Sequence, residues 1–103
     1  MSEAPTRCGL PPMHPGELLR EDVIPALGRP IAEVARLLNV SRRTLYDILE
    51  EKASVTPAMA LRLGKLCGNG PELWLALQSR HDLARLTNEM SEELSRIPTL
   101  NAA

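Results

Sequence analysis

IAEVARLLNVSRRTLYDILEEK, residues 31 to 52, carries two helical patterns separated by a single turn. Ile31, Val34, Ala35 and Leu38 fall at i, i+3, i+4 and i+7, one face of a helix running from about Pro30 to Leu38. Asn39 follows, a residue that tolerates the left-handed conformation in which helices end. Ser41 has the chemistry of an N-cap for the next helix. Val40 and Leu45 stand at the positions of a hydrophobic staple, which fixes the angle at which that helix enters. Leu45, Ile48 and Leu49 form its buried stripe.

Two short helices with this spacing make a helix-turn-helix. The small Ala35 lets them approach closely, Asn39 turns the chain, and Leu45 and Ile48 hold the second helix against the first. With the inward face spoken for, Arg42, Arg43, Tyr46, Asp47 and Glu50 are left on the outward face. In a DNA-binding helix-turn-helix that face enters the major groove.

Arg42 and Arg43 lie in the first turn of their helix, where the macrodipole is positive. A cation there costs roughly a few tenths of a kcal/mol at an exposed site. A chain selected for stability alone would carry Asp or Glu instead, and a broken local rule marks a candidate functional position. Arginine bidentate to guanine is the commonest specific base contact, made from this turn of a recognition helix. The competing reading is a pair of solvated surface arginines; the turn, cap and staple around them favour DNA. Thr44, Tyr46 and Asp47 are supporting candidates, and Ser41 and Lys52 are candidates for phosphate.

Outward from this stretch, 103 residues suffice for one domain, and 44% hydrophobic content is enough for a core. With no Phe, one Tyr and one Trp, that core is aliphatic. The same shortage argues against single-stranded nucleic acid, which is held on stacked aromatics. No apolar run reaches the ~20 residues of a membrane span, and the N-terminus lacks a signal-peptide pattern. A cytoplasmic protein is the simplest expectation. Net charge is −1, but its distribution is uneven. Arg29, Arg36, Arg42 and Arg43 face the single acid Glu33 across residues 29–44, while Glu89, Glu92 and Glu93 dominate the tail. A basic patch on a mildly acidic body fits a DNA reader rather than a non-specific DNA coat.

Residues 1–13 hold three prolines and a glycine without periodicity and read as a mobile arm. His14-Pro15-Gly16-Glu17 opens a first helix, burying Leu18, Leu19 and Val23, which Pro25 ends or bends and Gly28 closes. Beyond the polar connection 50–54, Thr56-Pro57 starts a fourth helix that reaches about Cys67 and stops at Gly68. It buries Met59 or Ala60, Leu63 and Leu66. A fifth starts at Pro71 and is expected to continue through Met90 and Leu94 to Ile97. Trp74, Leu75, Leu77 and Leu83 spread around this last helix, more apolar residues than one face requires. They either pack within the monomer or form a homodimer interface; reading two half-sites favours the dimer. The expected organisation is an arm (1–13), a helix-turn-helix domain (14–86) and a helical C-terminal extension (87–103).

Catalysis finds no support. There is no nucleophile elbow, phosphate-binding glycine loop or helical His-x-x-x-His pair, and His81 and Asp82 are adjacent. Cys8 and Cys67 have no zinc-ligand spacing; with His14 and His81 they would meet only by accident of the fold. No cofactor or metal is expected.

From His14 to about Leu86 the chain resembles the HigA-type antitoxins, a branch of the Xre-like, lambda-repressor-like helix-turn-helix proteins. The motifs that carry the likeness are His14-Pro15-Gly16-Glu17, Val40-Ser41-Arg42-Arg43-Thr44-Leu45, Thr56-Pro57-Ala58-Met59-Ala60-Leu61-Arg62-Leu63 and Pro71-Glu72-Leu73-Trp74-Leu75 with Leu77-Gln78 and Asp82-Leu83. The resemblance implies a five-helix all-α fold, a homodimer, and repression of its own operon through double-stranded operator DNA. It also implies a partner, a HigB-type toxin of the RelE-like ribonuclease class. Three positions depart from the family pattern. Glu50-Glu51-Lys52 stands where the family usually has a glycine after the recognition helix, Ile31 where related repressors carry a polar residue, and His81 where Tyr is common. The acids at 50 and 51 leave open a protein-sequestering module with weak DNA binding; a stand-alone repressor is the third reading.

Overall fold

A computed structural model describes residues 12–101 of the chain. The expected arm falls almost wholly outside the described residues, as does Cys8. Among the described residues the fold is all-helical, without strands.

Helix α1 runs through Pro15–Leu18, a π-helical turn at Leu19–Val23, and Ile24–Leu27. His14 is its N-cap, with the imidazole Nδ1 accepting from the Gly16 amide at 2.9 Å. Pro25 does not end this helix. The Ile24 amide instead donates five residues back, to Leu19 O. This widened turn lies immediately before Pro25, which has no amide to give and whose ring would otherwise press on the carbonyl four residues back. Gly28, at φ 64°, closes the rod.

Helix α2 spans Ile31–Leu38 and ends on Asn39 in the left-handed conformation, φ 61° and ψ 44°. Helix α3 spans Arg42–Leu49 and starts on the Ser41 cap. Helix α4, Pro57–Cys67, starts on Thr56, whose Oγ1 accepts from the Met59 amide at 3.2 Å, and stops at Gly68 with φ 77°. Helix α5 is Pro71–Glu89.

The expected run of α5 to Ile97 is interrupted. Met90 leaves helical geometry at φ −103°, ψ 14°, and a separate short α6 occupies Ser91–Ser95. Residues 83–89 are all exposed, so no packing enforces a straight rod there. Thr87 and Asn88 are weak helix formers, and Glu92 and Glu93 suit a new first turn. Among the described residues a sixth helix is thus added to the expected five.

The core is aliphatic around one tryptophan. Leu19, Val34, Ala35, Leu38, Leu45, Ile48, Leu49, Val55, Met59, Ala60, Leu63 and Trp74 are buried. Met59 and Ala60 are therefore both inside, whereas Leu18, Val23 and Leu66 are only partly buried against this cluster. Trp74 corrects an expectation. Placed at a dimer surface from the sequence, it is fully buried between the helices, and its indole N–H donates to Asn69 Oδ1 at 3.2 Å.

Two glycines are required by close approach. A Cβ at Gly16 would stand 1.9 Å from Ile48 O, so the start of α1 lies directly against the backbone of α3. A Cβ at Gly64 would meet the carbonyl carbon of Gly70 at 2.4 Å, where α4 passes under the start of α5. No helix among the described residues is long and apolar enough to cross a membrane.

Candidate nucleic-acid interface

The first turn of α3 is built by Ser41. Its Oγ accepts from the Thr44 amide at 3.0 Å and donates to Thr44 Oγ1 at 2.9 Å. Inward, Leu45, Ile48 and Leu49 bury the helix against α2 and α1. Outward, Arg42, Arg43, Thr44 and Tyr46 are exposed, with Asp47 half-buried behind them.

The candidate residues separate into two recesses. Arg42 and Ser41 join Arg36 and Asn39 in a shallow recess over the turn between α2 and α3. On the other flank Arg43, Tyr46, Asp47, Glu50 and Lys52 line a second one. Their charges differ in availability. Among the described residues Arg42 has no ion-pair partner. Arg43 lies 3.6 Å from Asp47 across one helical turn, and Lys52 lies 3.1 Å from Glu50. Arg29 and Arg36, the remainder of the basic patch, both reach Glu33. These pairs are exposed and each is worth little, so the cations remain free to exchange carboxylate for phosphate.

The segment after α3 keeps a glycine-like turn without glycine. Glu51 has φ 63°, a left-handed conformation that costs a residue with a Cβ roughly 1–2 kcal/mol. The amides around it are satisfied, Glu51 N on Ile48 O at 3.0 Å and Lys52 N on Asp47 O at 2.8 Å. Arg20 of α1 reaches the same place. Its Nη1 donates to Leu49 O at 2.6 Å, and both terminal nitrogens lie 3.4 Å from Glu51 Oε2. Helix α2 is finished in the same manner by Arg62 of α4, which donates to Leu38 O at 3.1 Å and Asn39 O at 3.3 Å. Each helix of the motif therefore ends on a guanidinium from outside it, the favourable charge for a helix C-terminus.

A polar cluster lies beneath the α3–α4 connection. Gln78 of α5, buried, accepts from the Val55 amide at 2.7 Å and donates to Asp82 Oδ1 at 3.0 Å. His81 stacks edge-on against buried His14, with ring centroids 4.9 Å apart. Its Nδ1 is 3.5 Å from Asp82 Oδ1 without hydrogen-bond geometry. Burial, and next the His81 charge, push the His14 pKa down, against smaller opposing effects of Glu51 and Asp82. Burial raises the Asp82 carboxyl, but the Gln78 amide, His81 and Arg85 outweigh it and hold the value low.

On α5, Leu75 and Leu83 face outward and Leu77 is half-buried, with Leu73 and Leu86 also exposed. Cys67 is a half-buried free thiol raised by burial. Sequence reasoning missed Arg20, Arg62 and Gln78, since none belongs to the helix-turn-helix stretch. The one available signal was Glu51 itself, a non-glycine where the turn needs positive φ and so needs support from another element.

The pattern of the helix-turn-helix family HTH_3 matches residues 19–75. Virulence-associated protein A' of Dichelobacter nodosus is 38% identical over 92 residues, which cover 88% of this chain and 78% of that protein. Antitoxin GraA in complex with its operator superposes with a TM-score of 0.81 at 37% identity, covering 90% of this chain and 95% of that one. Pseudomonas aeruginosa antitoxin HigA, solved with the higBA promoter, gives a TM-score of 0.80 at 33% identity, with 87% of this chain and 99% of that one covered. From the capped turn with its outward arginines and these likenesses together, the chain belongs to the Xre-like helix-turn-helix family HTH_3, a class of regulators rather than enzymes, in its HigA-type antitoxin branch.

Proposed function

We propose that this chain is the antitoxin of a toxin–antitoxin pair, a cytoplasmic homodimer that represses its own operon and neutralises a HigB-like ribonuclease toxin by direct binding. The observation that carries the DNA half is the first turn of α3, where Arg42 and Arg43 are held outward on a capped helix whose opposite face is locked in the core. Two structural neighbours bound to operator or promoter DNA support it. Arg42 and Arg43 read base edges, Thr44, Tyr46 and Asp47 line the groove, and Ser41 and Lys52 meet phosphates. Two copies, joined through Leu75, Leu83 and the exposed side of α5, bring two recognition helices to half-sites about one DNA turn apart. The toxin half rests on the antitoxin likeness and on the acids Glu89, Glu92 and Glu93, all exposed, which suit a basic partner.

The test is a titration of the purified chain against a duplex of its own upstream promoter and a scrambled duplex, at two salt concentrations. Promoter-preferring binding by a dimer is expected. Weak binding equal on both duplexes would sink the repressor reading and leave protein sequestration as the activity. Co-purification with a small basic protein encoded beside the gene, with loss of that protein's ribonuclease activity, is the expected outcome for the toxin half.

A further inference from the structure

The end of α3 is sealed by α1 at three successive points. Gly16 lies under Ile48 O with no room for a Cβ. One turn later Arg20 donates to Leu49 O at 2.6 Å. Both terminal nitrogens of the same guanidinium converge on one oxygen, Glu51 Oε2, each at 3.4 Å, while the Glu51 backbone sits at φ 63°. Arg20 belongs to the π-helical turn of α1, a local departure that re-aims side chains and is common where a helix does something other than pack. Glu51 has no steric reason to adopt positive φ unaided, and its neighbour Glu50 is exposed and bonded to Lys52 rather than to α1. The strained turn and the guanidinium that grips it form one device. It fixes the direction of the chain leaving α3 and hence where Lys52 stands relative to the arginines at the other end.

We propose that Arg20 and Glu51 are a clamp that positions α3 and Lys52 for DNA, doing with an ion pair and a carbonyl contact what a glycine turn does by backbone freedom. The proposal rests on the operator-binding reading. Arg20 is a positioning residue in it: its two terminal nitrogens are engaged with Leu49 O and Glu51, while Nε pairs with its neighbour Glu21 at 3.1 Å.

The test is a double-mutant cycle on the full chain, read by promoter-duplex titration and by amide exchange. Arg20→Met keeps the stem and removes the guanidinium. It is expected to weaken promoter binding roughly tenfold, the size of losing a charged hydrogen bond, with the slope against salt unchanged. Measured instead against Glu51→Gly, the Arg20→Met effect shrinks to about twofold, because glycine holds the turn without the clamp. Amide exchange at Lys52 and Ala53, both bonded to Asp47 O, rises in Arg20→Met and returns toward the original in the double variant. Unchanged affinity and unchanged exchange in Arg20→Met overturn the clamp. A salt slope shallower by about one unit also overturns it, since Arg20 would then be a phosphate contact. Should Arg20→Met fail to fold, Glu51→Ala unhooks the pair from the other side, and faster exchange at Lys52 and Ala53 in it, absent in Glu51→Gly, is the expected result; equal exchange in the two overturns the proposal. A wild-type chain indifferent to its promoter refutes the operator reading alone, and the exchange comparison then decides the clamp by itself.

Discussion

Arg42 and Arg43 occupy equivalent helical terrain but different electrostatic states, the first unpaired among the described residues and the second 3.6 Å from Asp47. Because the Arg43 side chain is 86% exposed, that pair does little to hold it away from a ligand. Replacing either with alanine is expected to cost about 1–3 kcal/mol of operator binding and to relax specificity at one base pair per half-site. A panel of singly substituted duplexes reads this out, and a uniform loss across the panel would demote the residue to a backbone contact. Lys52→Ala should weaken binding to every sequence alike and flatten the salt dependence by about one unit. An unchanged slope removes Lys52 from the interface.

At the scale of the elements, the helix-turn-helix was legible because its determinants are local. Period, cap, staple and the αL residue Asn39 all lie within a few positions of one another, and each stands where the spacing indicated. The contacts that fix the motif to the body were not legible, for they join residues far apart in sequence, as Arg20 joins Leu49 and Arg62 joins Leu38. Of the two outcomes open at Pro25, an end to the helix is excluded for a related reason: a π turn lets the helix absorb the proline, and no propensity announces a π turn. Trp74 was assigned to the wrong surface because an apolar excess around a helix does not say which side the partner elements cover. The interface between α1 and α3 offers the sharpest check of element packing. Gly16→Ala puts a methyl group into the Ile48 carbonyl, and either helix must move. A loss of about 1–3 kcal/mol in urea unfolding, with the m-value unchanged, is expected. Wild-type stability in that variant would mean the two helices do not meet as closely as described.

Across the whole molecule, His14 ties three parts together. It caps α1, stacks on His81 of α5, and feels Glu51 and Asp82 as well as the Ala53 backbone. Its pKa is lower in the folded chain than in the unfolded one, so acid protonates the unfolded state first. The contribution is fully present above about pH 6.5, the ordinary imidazole value, and is lost as pH falls from there through the lowered folded value. Thermal unfolding between pH 7.5 and pH 5 should therefore show a falling midpoint, with a flatter profile in His14→Asn, which can cap the helix but cannot titrate. A profile of equal steepness in that variant would move the effect to another group.

The aromatic poverty of the chain has a practical consequence. Its single tryptophan is sealed in the core, and its single tyrosine, 44% exposed, stands on the outward face of α3. Light at the red edge of the absorption excites the indole and spares the phenol. Its emission therefore follows the integrity of the core alone, so unfolding can be watched without attaching a dye and without interference from the exposed face of α3.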